Sequence, residues 1–300
     1  MANSVWEGRR LGVIGAGNMA EAIVRGATGA GVIPAERITV YDPLPERREL
    51  FVSLGCRSDS AGEAAGAGSV LLAVKPQQLP RAAGEIRDAL RPGSLCLTIV
   101  AGATAASLAA LLAPGVKIVR IMPNTPLLVG FGVSALARGP LAGEEEMRLA
   151  LALFSAAGDA LELAETELDA VTALSGGGPA YLFRFAEALA AGGERLGLAP
   201  EVARRLTVGT LRGASEMLAR GGEAGELRER VTSRGGTTAE ALKTLENGRF
   251  PELLAEALAA ARDRSRELGR EVLAGETGSE RTRGEGLGQP CECRQDCVKK

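Results

Sequence analysis

Short apolar runs alternate with helically spaced segments through the first half of the chain. The apolar runs lie at 11–14, 38–41, 70–74, 95–100 and 116–121, and short runs of this kind predict buried strands. Between them, apolar residues recur at helical spacing over 20–30, 45–54, 79–90 and 104–112. Strands that alternate with helices predict an α/β domain with a parallel sheet and crossover helices.

The second half of the chain has a different pattern. After about Glu165 the strand-like runs stop, and apolar residues recur at helical spacing over 180–196, 200–218 and 251–268. We therefore expect an all-helical domain over 165–269, preceded by the α/β domain over 8–164. From 270 to 300 the chain is rich in Gly, Glu, Arg and Thr, which bury too little apolar surface to offset ordering entropy. This segment is predicted to be a disordered tail.

Charge and histidine content exclude several classes of function. The 35 basic and 37 acidic residues leave a net charge of -2, so electrostatics give no reason to expect nucleic acid or a membrane as partner. No apolar run approaches the roughly 20 residues of a membrane span, and residues 1–10 lack the apolar stretch of a secretory signal. We expect a cytoplasmic protein with a small-molecule substrate. The chain has no histidine, which excludes Ser–His and His–Asp catalysis and imidazole-bound metals.

The cysteines fall into two groups. Cys56 and Cys96 lie singly in apolar or strand-like surroundings, which predicts buried, reduced thiols. Cys291, Cys293 and Cys297 in the tail could ligate a soft metal, but a fourth ligand is lacking. Incidental reactive thiols are the favoured interpretation, and no metal site is predicted.

The first candidate site lies between the first predicted strand and a helix. Gly15 allows a tight turn, Gly17 lets a pyrophosphate approach the backbone, and Ala20 lets helix and strand pack closely. Amides at the helix start would bind the phosphates. A bare tight turn is the alternative, but the strand–turn–helix context favours a Rossmann-like dinucleotide site. Its predicted residues are Gly15, Ala16, Gly17, Asn18 and Met19.

Residues after the second strand bear on the choice of cofactor. Asp42 stands where an acid can bind the adenosine ribose, which would favour NADH. Arg47 and Arg48 follow and could instead bind the 2′-phosphate of NADPH. Alternatively, Asp42 and Pro43 form a plain turn and the arginines are a solvated helix face. These residues alone leave both cofactors open.

Other predicted strand ends supply further candidates, because ligands of open α/β sheets gather at the carboxyl ends of strands. We predict that the cofactor contacts Ala73, Val74, Lys75, Pro76, Val100 and Ala101. Lys75 could instead be a solvated surface charge. Asn124, in a proline-flanked loop after the fifth strand, either binds near the cofactor's reactive end or belongs to a plain turn.

Two glycine-rich segments mark the helical half. The run Ser-Gly-Gly-Gly-Pro-Ala-Tyr at 175–181 predicts a helix start whose free amides face a bound group. A second, polar segment at 233–238 leads into another helix. Its amides and the hydroxyls of Ser233, Thr237 and Thr238 could bind a small carboxylate, or the hydroxyls could be ordinary N-caps.

Together these segments resemble the pyrroline-5-carboxylate reductases, over about residues 10–269. The resemblance rests on residues 14–20, 73–76, 122–126, 169–181 and 233–238, which follow one another in the family's order. It implies hydride transfer from NADPH or NADH, with NADPH slightly favoured, to the C=N carbon of 1-pyrroline-5-carboxylate, giving L-proline. An imine takes its proton from water and the iminium accepts hydride readily, so the absence of histidine fits this chemistry.

The resemblance also implies roles for residues of the helical half. The substrate carboxylate would be held by Ser233, Gly235, Gly236 and Thr237, and Ser175 would also bind the substrate. Thr238 would hydrogen-bond the ring nitrogen, as the one catalytic side chain. The family further implies a homodimer that assembles into a larger ring such as a decamer, with the substrate loop completing the site at the subunit interface.

Two positions depart from the family pattern. Gly177 stands where the family usually has serine, and Arg234 stands where proline commonly precedes the Gly–Gly pair. Three other functions remain alternatives: a related imine or β-hydroxyacid reductase, an S-adenosylmethionine-dependent methyltransferase, and a dinucleotide-binding regulator without catalysis.

Overall fold

The computed structural model describes residues 5–274 and contains one eight-stranded sheet. The strands are β1 (Leu11–Ile14), β2 (Ile38–Tyr41), β3 (Arg57–Ser58), β4 (Ser69–Leu72), β5 (Leu95–Thr98), β6 (Lys117–Met122), β7 (Gly132–Arg138) and β8 (Gly158–Glu162). Their order across the sheet is β3-β2-β1-β4-β5-β6-β7-β8. The strand order reverses beside β1, and ligands of such sheets bind at this switch point.

All five predicted strands are present, but the sheet is not wholly parallel. Strand β7 pairs antiparallel with β6, while every other neighbouring pair is parallel. The sequence pattern did not predict β3, β7 or β8. Strand β3 has only two residues, and β8 is largely exposed, so neither produces a continuous apolar run. The five predicted strands are mutually parallel, as expected, and antiparallel β7 is a strand that the pattern did not predict.

Six helices accompany the strands of this α/β half. They are α1 (Asn18–Gly29), α2 (Pro45–Ser53), α3 (Ala61–Ala65), α4 (Leu79–Ile86), α5 (Ala105–Leu111) and α6 (Glu144–Ser155). Helices α1, α2 and α6 contribute to the core on one face of the sheet. Helices α3, α4 and α5 contribute to the core on the other face. A sheet covered on both faces explains why its central strands are continuous apolar runs.

The N-terminal core begins before the predicted boundary at residue 8. Trp6 is completely buried, and its indole Nε1 donates to the Leu149 carbonyl of α6 at 3.0 Å. Burying a tryptophan whose N–H is also paired anchors this segment. The chain thus joins the α/β core from at least Trp6 onward.

The second half is helical, as predicted. Its helices are α7 (Leu168–Val171), α8 (Gly178–Arg195), α9 (Pro200–Ala219), α10 (Ala224–Arg230), α11 (Thr237–Asn247) and α12 (Phe250–Ala274). Helix α12 runs five residues beyond 269, so residues 270–274 are helical and do not belong to a disordered tail. The predictions for 275–300, including the three tail cysteines, fall outside the described residues.

Helix α12 contacts α7 and the loop that follows β5. Ser265 Oγ donates to Asp169 Oδ1 at 2.8 Å, which ties α12 to α7. Further along α12, Gly269 lies against Gly102, and a Cβ on Gly269 would meet the Gly102 carbonyl oxygen at 2.8 Å. Only residues without side chains permit this approach. The end of α12 is therefore packed against the loop that follows β5.

Candidate active site

The turn between β1 and α1 has the geometry of a phosphate-binding turn. Gly15 has φ +94°, and a Cβ there would lie 2.6 Å from the Ala73 carbonyl oxygen. Gly17 faces open space, with no atom within 4 Å of where its Cβ would be. It precedes α1 and offers no side-chain cap, so the first-turn amides of Asn18 and Met19 have no partner within the helix. These amides suit a pyrophosphate.

A cleft lies beside this turn, at the carboxyl ends of β1, β2 and β4. This sheet-edge cleft has a volume of about 510 Å³, within the range of small-molecule sites. Of the predicted cofactor residues, its lining includes Gly15, Ala16, Gly17, Asn18, Asp42, Ala73, Val74 and Lys75. Met19, Pro76, Val100, Ala101 and Asn124 are outside that lining. An open groove with unpaired amides at its head fits a dinucleotide phosphate.

Asp42 is already engaged by backbone amides. Its Oδ2 accepts from the Ala16 amide at 2.7 Å, and its Oδ1 accepts from the Leu44 amide at 3.0 Å. The acid at the end of β2 therefore ties the phosphate turn to the β2–α2 loop. The sequence predicted its position in the cleft but not this contact.

The two arginines that follow are also engaged. Arg47 donates from Nε to the Ala16 carbonyl at 2.6 Å and from Nη2 to Glu21 at 3.1 Å, while Arg48 donates to the Asp42 carbonyl at 2.8 Å. Partial burial raises the pKa of Glu21, but hydrogen bonds from Arg25 and Arg47 outweigh it and hold that pKa below its usual value. Glu21 is therefore anionic at neutral pH and holds Arg47 in place.

Sequence reasoning missed one wall of the cleft. Gln78, Arg81 and Glu85 line it from the short helix Pro76–Gln78 and from α4, and Arg81 Nε donates to Glu85 at 2.8 Å. Tyr41 lines it from the end of β2. The available signal was the i, i+3, i+7 spacing of Gln78, Arg81 and Glu85 after the third predicted strand, which places side chains on one helix face.

Asn124 and Ser175 meet where the two halves join. Asn124 is 9% exposed; its Oδ1 accepts from the Val133 amide at 2.8 Å, and its Nδ2 donates to Ser175 Oγ at 3.2 Å. Next to them, a Cβ on Gly176 would collide with the Met122 side chain. The fold thus brings together two predicted site residues from separate segments, Asn124 after β6 and Ser175 before α8.

Helix α8 begins at Gly178 with Pro179 in its first turn, as predicted, but the residues before it are not the expected open loop. Residues Thr172–Gly176 form a π-helical turn that continues from α7, and the Gly177 amide donates to the Thr172 carbonyl at 2.9 Å. That amide is not available to an anion, because a helical turn precedes α8 instead of a loop. Single π turns often occur at functional sites. The corrected picture is a bulged helix that presents Ser175.

At Gly177, where the family usually has serine, the Tyr181 side chain occupies the space that a serine side chain would need. A Cβ at Gly177 would lie 2.6 Å from the Tyr181 hydroxyl oxygen. A serine here would therefore displace the Tyr181 ring. The position of the Tyr181 ring therefore depends on the absence of a side chain at Gly177.

The 233–238 loop leads into α11 as predicted. Gly235 has φ +69°, and a Cβ on Gly236 would collide with Ser233 Oγ. Gly236 is the N-cap of α11, so Thr237 and Thr238 form its first turn and their hydroxyls are not the cap. Within residues 5–274, the lining of the sheet-edge cleft does not include this loop. One chain by itself does not bring the predicted substrate loop to the predicted cofactor turn.

The described residues contain no cluster of three or more His, Cys, Asp and Glu side chains that could hold a metal ion. Cys56 and Cys96 are buried, as expected, and burial raises the pKa of Cys56 to about 11 and of Cys96 to about 12. Both are therefore unreactive thiols at neutral pH. Among residues 5–274, no helix combines the length and apolarity needed to cross a membrane.

Two family models match the chain. One, described as pyrroline-5-carboxylate reductase dimerisation, matches residues 165–268. The other, described as NADP oxidoreductase, coenzyme F420-dependent, matches residues 10–102. The α/β half is thus similar to a dinucleotide-dependent oxidoreductase domain, and the helical half is similar to the dimerisation domain of pyrroline-5-carboxylate reductases.

Relatives agree over nearly their whole length. A pyrroline-5-carboxylate reductase of Pseudomonas aeruginosa is 41% identical over 268 residues, covering 88% of this chain and 98% of the relative. A solved reductase from Coxiella burnetii has 36% identity and a TM-score of 0.82, covering 87% of this chain and 98% of that one. A Plasmodium falciparum reductase with NADP bound has 29% identity and a TM-score of 0.79, covering 88% and 99%. The chain belongs to the pyrroline-5-carboxylate reductase family.

Proposed function

We propose that the chain transfers a hydride from a reduced nicotinamide dinucleotide to the C=N carbon of 1-pyrroline-5-carboxylate, giving L-proline. The observation that supports this most directly is the sheet-edge cleft, with unpaired helix amides at its head, in a member of this family. The cofactor, when bound, supplies the hydride. The remaining work is binding and alignment by the protein's own groups.

The cofactor would lie along the carboxyl ends of the strands. Amides of Asn18 and Met19 would bind the pyrophosphate, and Gly17 leaves room for it. The small residues Ala73, Val74, Val100 and Ala101 would let the cofactor pass from β4 to β5 toward the loop that carries Asn124. Lys75 and Pro76 border this path after β4.

Substrate binding falls to the helical half. The 233–238 loop would hold the carboxylate through Ser233, Gly235, Gly236 and Thr237, because helix-start amides and hydroxyls bind small anions. Thr238 would hydrogen-bond the ring nitrogen. Ser175 would face the substrate from the π turn, where Asn124 fixes its hydroxyl. Water protonates the imine, so the site needs no strong protein acid.

We place the complete site at a subunit interface. The 233–238 loop lies outside the sheet-edge cleft of its own chain, so in this proposal the loop of a second subunit completes each site. All residues of α8 are at least partly exposed, including Phe183 at 66%. Apolar helices without a core of their own suit a homodimer, and dimers would assemble into a larger ring such as a decamer. We propose domain limits of 6–164 and 165–274, and a cytoplasmic location.

NADPH is proposed as the preferred cofactor. Apart from Asp42 and Arg47, which are bonded to the phosphate turn, two cationic side chains (Lys75 and Arg81) and one anionic side chain (Glu85) line the cleft. The slight cationic excess favours the additional 2′-phosphate. We expect the KM for NADPH to be below that for NADH, and the difference to shrink between about 0.05 and 0.5 M salt as charges are screened. A preference for NADH at low salt would contradict this.

One assay tests the activity. The purified protein is mixed with 1-pyrroline-5-carboxylate and NADPH or NADH, and both the loss of nicotinamide absorbance and the formation of proline are measured. Equal amounts of proline and oxidised cofactor are expected. A 3-oxoacid, which a β-hydroxyacid reductase would reduce with the same cofactors, and S-adenosylmethionine serve as comparison compounds for the alternative enzymes. Binding of cofactor without turnover of any of these would support the regulator instead.

A further inference from the structure

The residue between the two turn glycines is held on both sides by charged side chains. The Ala16 amide donates to Asp42 Oδ2 at 2.7 Å, and the Ala16 carbonyl accepts from Arg47 Nε at 2.6 Å. Both side chains come from the β2–α2 segment and both line the sheet-edge cleft. One carboxylate and one guanidinium therefore hydrogen-bond the amide and the carbonyl of the same residue in the phosphate turn.

Each side chain also makes a second hydrogen bond besides the one to Ala16. The second oxygen of Asp42 accepts from the Leu44 amide at 3.0 Å. The Nη2 of Arg47 donates to Glu21, which also accepts from Arg25 at 2.9 Å. The single N–H of Arg47 Nε is used by Ala16 and both oxygens of Asp42 accept from backbone amides, so the atoms of this pair that face the turn are engaged in holding it.

Holding Ala16 matters because glycines flank it. Gly15 and Gly17 have more conformational freedom than other residues, and ordering them when a ligand binds would cost entropy. Charge-assisted hydrogen bonds to Ala16 fix the turn before the cofactor arrives. A turn ordered in advance binds its ligand more tightly.

We propose that Asp42 and Arg47 are positioning residues that hold the β1–α1 turn ready for the pyrophosphate shared by NADH and NADPH, and that neither selects between the two cofactors. This inference rests on the proposed dinucleotide site. It assigns the pair a different role from ribose or 2′-phosphate recognition.

The two roles lead to opposite expectations for a pair of variants. If these residues select, Asp42→Ala shifts preference toward NADPH and Arg47→Ala shifts it toward NADH. If they position the turn, each variant weakens both cofactors by a similar factor, about tenfold. The ratio of the two dissociation constants then stays within about threefold of the original protein, since one hydrogen bond to Ala16 is lost in each case.

The experiment titrates the full chain with NADH and with NADPH and follows nicotinamide fluorescence. Asp42→Asn keeps one acceptor oxygen without the charge, so it should recover part of the affinity that Asp42→Ala loses for both cofactors. Arg47→Lys keeps the charge but cannot reproduce the guanidinium contact, so it should resemble Arg47→Ala. The matched control is Asp159→Ala, which removes an acid that accepts from the Ala160 amide at 2.9 Å on β8 and should leave both affinities unchanged.

Thermal unfolding of each variant shows that the titrated protein is folded. Opposite shifts in preference, a loss confined to one cofactor, or no loss with either would overturn the positioning role. The proposed activity is judged separately, because binding is measured without substrate. A parent protein that binds both cofactors but forms no proline would refute the activity and leave this test intact, whereas one that binds neither would refute both.

Discussion

Gly15 and Gly17 are two residues apart, yet they require glycine for different reasons. Gly15 has positive φ and lies against the Ala73 carbonyl, whereas Gly17 has φ -72° and faces the empty cleft. At Gly15 a side chain would clash with the protein's own backbone whether or not a ligand is bound. Crowding at Gly17 arises only when a ligand is present.

Alanine variants should separate these reasons. Gly15→Ala is expected to lower the free energy of unfolding by about 1–3 kcal/mol, because it adds a side chain at positive φ against backbone. Gly17→Ala should leave thermal stability nearly unchanged and weaken NADPH binding. Calorimetry and cofactor titration of both variants provide the measurement. Equal loss of stability in the two would mean that Gly17 serves the fold.

Thr238 is the side chain on which the proposed chemistry depends most. Thr238→Ala should lower kcat by roughly tenfold or more while leaving the dissociation constant of NADPH nearly unchanged, because only the substrate nitrogen loses its partner. Steady-state kinetics and cofactor titration measure the two effects. Thr244→Ala is the control, since Thr244 lies on the same helix and donates to the Glu240 carbonyl. Loss of cofactor affinity would show that the loop has another role.

At the scale of elements, the π turn depends on β6 and β7 for its position. Asn124 follows β6, accepts from Val133 of β7 and donates to Ser175 in the turn. Because Asn124 is buried, removing its side chain also leaves the Val133 amide without that acceptor. Ser175 loses only one bond when it is replaced.

The two replacements should therefore differ. We expect Asn124→Ala to lower the free energy of unfolding by about 1–3 kcal/mol and Ser175→Ala by less than about 1 kcal/mol. Both should raise the KM for the imine substrate, since both leave the proposed substrate-facing hydroxyl absent or unheld. Chemical denaturation and substrate kinetics would show this. A greater loss of stability in Ser175→Ala would contradict the contact scheme.

Burial determined which elements the sequence pattern could predict. Strands β1, β4 and β5 are buried along their whole length, and a continuous apolar run marks such strands. Strand β7 is also mostly buried, but it contains two alanines, and alanine favours helices, so its sequence did not predict a strand. The π turn before α8 was not predictable, because its bulge depends on packing against Met122 and α12 and not on local propensity.

The same reasoning explains which parts of the site could be predicted. Gly15, Asp42 and Ala73 were predictable because parallel strands end at a common edge. Arg81 and Glu85 were missed because they reach the cleft from a helix face. The hydrogen bonds of Asp42 and Arg47 to Ala16 depend on side-chain geometry that spacing alone does not contain.

For the whole molecule, the exposed apolar residues of the helical half support the proposal that a second subunit completes the site. Phe183→Asp should weaken the dimer, because it places a charge in the proposed apolar interface. Light scattering should then show monomer, and activity should fall together with dimer content. Leu141→Asp is the control, since Leu141 is 57% exposed in the turn before α6 and outside the helical half. A fully active Phe183→Asp monomer would refute completion of the site by a partner.

The ties between α12 and the rest of the chain constrain how the two halves can move. Helices α8 to α11 lie in the sequence between Asp169 and Ser265, and these two residues are hydrogen-bonded to each other. Beyond Ser265, Gly269 also contacts Gly102. A segment pinned at both ends cannot swing about a single linker. Any closing of the helical half over the sheet edge would need two backbone hinges to turn together, or rupture of these contacts. In the proposed dimer, these contacts would therefore limit how far the helical half can move as it presents its loop to the neighbouring subunit.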